Sequence, residues 1–157
     1  MLSLASASFA DDKTKNADLA DFAGAYSYTA SYTMTLTSPQ KQTLTQSDEG
    51  SLTISPSKKS GFVLTFTAKG ETCQITASRS GKTGLKVPAG QTCSMEDADR
   101  AADLTFAVTS GSGTLTGESL TMTLAWKLSG TVGGAAISGR ATETVQAEQK
   151  YSAARSA

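Results

Sequence analysis

The sequence contains no histidine. That absence removes the commonest general base, the commonest metal ligand and the usual partner of a nucleophilic Ser or Cys. Catalysis could rest only on carboxylates or Lys, and the usual signs of an active site are missing, so the chain reads as a non-enzyme. Neither charge sign dominates: 14 Lys and Arg balance 14 Asp and Glu. Without a basic run there is no electrostatic footprint for nucleic acid. No stretch is long and apolar enough to span a membrane as a helix. Phosphate loops are also missing, because the GSG and VGG strings lack a strand–turn–helix context. Ser110 and Ser112 have no base beside them. The cluster Glu96-Asp97-x-Asp99 lacks the Gly and the distal Glu of an EF-hand loop, so it reads as a solvated acidic loop. No metal or cofactor is expected.

What is present points to β-structure. The chain has 157 residues, one domain's worth, with 14 Gly and only 3 Pro. Thr is abundant, and Thr fits a half-buried pleated surface better than a helix. The stretch SLTMTLAWKLSG, 119–130, puts Leu120, Met122, Leu124, Trp126 and Leu128 on one parity and Thr121, Thr123, Ala125 and Lys127 on the other. In a strand that gives one oily and one polar face. Residues 26–38 repeat the pattern, with Tyr26, Tyr28, Ala30, Tyr32, Met34 and Leu36 on one face before Pro39.

Further short strands are expected at 41–46, 51–56, 61–68, 72–78, 85–87, 104–108 and 114–116, with a long last one from 135. SDEG (47–50), AKGE, RSGKTG, SGSG (110–113) and TVGG are turns by residue type. Ser94 to Ala102 reads as a helical turn or an open loop. Eight to ten strands joined by short turns describe an all-β antiparallel up-and-down meander closing into a barrel of about eight strands, or else a β-sandwich. The barrel is favoured: a closed meander removes its exposed edges, and Trp126 follows both cysteines instead of lying between them as in an immunoglobulin sandwich. A lipid-facing barrel fits poorly, since several strands are short and the aromatics form no two girdles.

The first ten residues, MLSLASASFA, are apolar and small, with small-x-small cleavage patterns, and read as the remnant of a signal peptide. Residues 11–22 follow as a polar tail ending in a short helix, 23–150 as the barrel domain, and 151–157 as a loose tail. Export, to the periplasm of a bacterium or outside the cell, makes a Cys73–Cys93 disulfide the expectation; a cytosolic location would leave two thiols.

The segment DLADFAGAYSYTASYT, 18–33, resembles the start of a calycin, the group of lipocalins, fatty-acid-binding proteins and avidins. Those begin with a helical turn and a G-x-W at the head of the first strand. Here Gly24-Ala25-Tyr26 stands at the motif. The resemblance implies a barrel end closed by Tyr26, with Arg140 from ISGRAT as its basic cover. It also implies a small, mostly apolar ligand in the barrel mouth. Candidate contacts are the amphipathic residues of the inner parity: Tyr28, Tyr32, Met34, Phe66, Met122 and Trp126. Core is the stronger reading for each, because a barrel of eight strands is narrow enough for side chains to fill and interiors are close-packed. Other readings are a protein-interaction module, such as a calycin-like protease inhibitor acting through residues 11–20, or a structural surface protein.

Overall fold

The computed structural model describes residues 22–38, 40–57 and 61–152. The expected signal-peptide remnant, the short helix near Asn16 to Asp21, Pro39 and the last five residues lie outside them. Nine strands run in chain order: β1 (Gly24–Ser38), β2 (Gln42–Pro56), β3 (Gly61–Ala68), β4 (Glu71–Ser80), β5 (Gly84–Val87), β6 (Thr92–Asp97), β7 (Ala102–Thr116), β8 (Ser119–Val132) and β9 (Ala135–Ser152). All pairings are antiparallel. β1 pairs β9 as well as β2, and β5 pairs β7 as well as β4, so eight strands close on themselves and β6 adds to β7 beside β5. This is the expected up-and-down barrel.

The oily parity faces inward. Leu120, Met122, Leu124, Trp126 and Leu128 of β8 are all buried, and Thr121, Thr123 and Lys127 are exposed. Lipid-facing barrels have the reverse pattern. One end of the interior is plugged by Phe22. It is fully buried, its ring centroid lies 5.1 Å from that of Phe62, and the Arg79 guanidinium sits 5.5 Å over its face. Tyr26 donates its hydroxyl proton to the Phe22 carbonyl at 2.7 Å and accepts from Gln149 Nε2 at 3.2 Å.

Three expected breaks are not breaks. Residues 47–50 have turn-like composition, yet β2 runs through them, because Ser47, Asp48, Glu49 and Gly50 pair in unbroken register with Ser31, Ala30, Thr29 and Tyr28. SGSG is likewise inside a strand. β7 bulges between Val108 and Ser110, and the bulge switches the inward parity from even (Leu104, Val108) to odd (Gly113, Leu115). The inward glycines allow close approach: a Cβ on Gly111 would lie 2.6 Å from Leu124 Cδ2, and one on Gly113 2.8 Å from Met122 Cγ. Thr92–Asp97 forms β6, and only Ala98–Arg100 makes a helical turn. AKGE is the expected tight turn, with φ of 52° at Lys69 and 81° at Gly70.

The barrel has one weak seam. β4 pairs β5 only through Ser78–Ser80, and among the described residues no ladder joins the rest of β4 to β6. Two devices span the gap. The Cys73–Cys93 disulfide ties β4 to β6 with Cα atoms 5.5 Å apart. Beside it Gln91 imitates a strand: its Oε1 accepts from Thr76 N at 2.6 Å, and its Nε2 donates to Thr76 O at 2.9 Å. The Gln91 backbone oxygen meanwhile accepts from Val108 N of β7 at 2.8 Å.

Candidate functional site

Strand parity explains the site at the end opposite the Phe22 plug. Moving along β2 toward that end, the inward residues change from Ile54 and Leu52 to Gly50, Asp48 and Gln46. On β1 they change from Tyr26 and Tyr28 to Tyr32 and Met34. On β9 they run Ala147, Val145, Glu143, Ala141. The interior therefore goes from purely apolar to mixed within a few strand residues. A cavity of about 190 Å³ occupies the mixed region.

Five of the six expected ligand contacts line this cavity: Tyr28, Tyr32, Met34, Phe66 and Trp126. Met122 does not. It is fully buried in the packed layer beneath, against Gly113. The aromatic walls are braced edge-on: Tyr28 against Phe66, with centroids 5.4 Å apart, and Trp126 against Phe106, at 6.2 Å. The disulfide forms part of the wall, with Met95 of β6 next to it.

The centre of the site is Glu143, the only buried charged residue among those described, at 5% exposure. In the ladders it lies between Tyr32 of β1 and Leu124 of β8. Trp126 Nε1–H donates to its Oε1 at 2.9 Å, and the Tyr32 hydroxyl donates to the same carboxylate. Burial pushes the Glu143 carboxyl above the usual carboxylate range. The two hydrogen bonds work against that shift, and the charge of Asp48 adds slightly to it. Tyr28 is pushed up to about 12, first by burial and then by Asp48 and Glu143. Burial and the adjoining Glu143 raise Tyr32 further still.

Asp48, Gln46, Glu71 and Glu143 are site residues that the sequence reading passes over. The signal for Glu143 was visible: it is a carboxylate on the same parity as Ala141, Val145 and Ala147. Asp48 was hidden by reading SDEG as a turn. Arg140 does not cover the barrel end. It is exposed, because the register of β9 with β1 and β8 is unbroken from Gly139 to Ala147 and leaves even residues facing outward. The polar cover of Tyr26 is Gln149, and the cation at that end is Arg79, over Phe22. Gly24 is buried at the head of β1.

No family model matches this chain, those of the calycins included, and no curated protein matches it. Its backbone is similar to the crystal structure of a protein of unknown function from the DUF3598 family of Nostoc punctiforme. The two are 9% identical, with a TM-score of 0.39 over 82% of this chain and 48% of that one. The chain thus spans about half the length of that protein.

Proposed function

We propose that this protein is a non-enzymatic, exported binding barrel that holds a small, mostly apolar ligand at the end of the barrel opposite the Phe22 plug. The observation that carries the reading is the cavity itself. It is walled by Met34, Phe66, Met95, Phe106 and Trp126, and a few polar groups converge at its centre, as in ligand pockets generally. A barrel meant only as a shell has no need of a buried carboxylate, which costs free energy to desolvate. The volume limits the ligand. A 150 Å³ cavity holds a benzene ring, so about 190 Å³ takes one ring and a short chain inside the barrel. The disulfide and the small-residue N-terminus support export. Among the described residues no helix is long and apolar enough to cross a membrane.

The test uses 2-phenylethanol, a neutral ligand of that size, followed by calorimetry and by the emission of Trp126. Saturable one-to-one binding, abolished by Met95→Trp, which fills the cavity, is the expected result. No binding heat, with an emission that no ligand of this size perturbs, would overturn the reading and assign the residues to core.

A further inference from the structure

The charge pattern of the cavity bears on the head group its ligand carries. Three carboxylates line it: Glu143 deep inside, Asp48 on the wall and Glu71 at the lip. No described Lys or Arg lines it. Lys69 approaches Asp48 to 4.0 Å, but its side chain is 82% exposed. The same walls carry the rings of Tyr28, Tyr32, Phe66 and Trp126, whose faces attract cations. An anionic head group would meet the like charge of these carboxylates, which disfavours it. An inorganic ion is disfavoured for another reason. Among the described residues no three acidic or thiol ligands lie close enough to chelate one.

Glu143 also has capacity to spare. An ionised carboxylate offers about four acceptor sites, and Trp126 and Tyr32 take two of them. The two neighbours fix the carboxylate in place and leave part of it for a donor that arrives with the ligand.

We infer that the barrel takes a small organic cation: an amine of one ring or a short chain, its ammonium paired with Glu143 among Tyr28, Tyr32 and Trp126, and its apolar part against Phe66, Met95 and Phe106. This rests on the ligand-binding reading and narrows it to a substrate class.

The experiment compares three ligands of nearly equal shape by calorimetry at pH 7.5: phenethylamine, 2-phenylethanol and 3-phenylpropionate. The amine should bind at least about tenfold more tightly than the alcohol, and the carboxylate should not bind measurably. Glu143→Gln should bring the amine to within about threefold of the alcohol, both measured on the same variant. Asp48→Asn, farther out, should reduce the preference by about threefold, and it carries the test if Glu143→Gln does not fold. The inference is overturned if the alcohol binds and the amine binds no more tightly, or if the amine's preference survives both substitutions. Failure of all three ligands instead removes the ligand-binding reading on which it stands.

Discussion

Breaking the Cys73–Cys93 bridge tests how the barrel is closed. The bridge sits where β4 and β6 have no ladder between them, so it replaces hydrogen bonds that the other strand pairs have. It closes a loop with a sequence separation of 20. In the chain-entropy treatment such a loop restricts the unfolded chain by about 3 kcal/mol at 25 °C. For a chain of this length that corresponds to a fall in Tm of roughly 10 °C. Urea unfolding of the oxidised protein, the same protein reduced, and the Cys73→Ser/Cys93→Ser variant would measure it. The last two should agree, since both lack the bridge and keep side chains of similar size at 73 and 93. The reduced barrel should also bind 2-phenylethanol more weakly, because the bridge is part of the cavity wall. A loss under about 1 kcal/mol would refute this account. The seam would then be held by Gln91 and its two hydrogen bonds to the Thr76 backbone.

Three further outcomes are expected. Phe22→Ala should cost about 3–5 kcal/mol, read from urea midpoints, and leave ligand affinity unchanged, because the plug and the cavity are at opposite ends. Glu143 faces Tyr28 and Tyr32 of β1, Asp48 of β2 and the neutral Trp126 of β8. Its folded pKa is raised, so its favourable share of stability is complete below about pH 4.3 and is lost as pH rises through the folded value. The stability of Glu143→Gln relative to the natural protein should therefore increase with pH from about 4 and then level off. A difference that stays constant with pH would contradict the burial of the charge. Tyr28, pushed up to about 12, and the still higher Tyr32 should ionise late in a 295 nm titration. Stability should fall as pH rises above about 10, and Tyr28→Phe/Tyr32→Phe should lessen that fall.

Most of the barrel could be read from parity alone. β8 alternates without a fault because one face is packed and the other wet, and a slip of one residue would turn every Leu outward. β1 is legible for the same reason. Elsewhere residue type and register point in different directions. Residues 47–50 have the composition of a turn, but pairing with β1 on one side holds them extended. On β7 the bulge at Thr109 changes parity in mid-strand, so LTFAV and TLT look like separate strands with a Gly-rich turn between them. Nothing local to SGSG distinguishes a turn from a strand that needs glycine to let Leu124 and Met122 approach. That requirement comes from a strand across the sheet.

The same parity argument, followed further, finds the centre of the site. Once β9 is in register, Ala141, Glu143, Val145 and Ala147 must all point inward, and a carboxylate there needs partners. Left unpaired it would cost several kcal/mol. With every acceptor site taken by internal donors it would be a closed structural element. Here the donors Trp126 and Tyr32 come from the flanking strands, the acids Asp48 and Glu71 line the same cavity, and no described base does. The carboxylate is held in place with no described Lys or Arg lining its cavity. That arrangement is unfavourable for a core filled only by apolar side chains, and it is the observation on which the proposed organic cation rests.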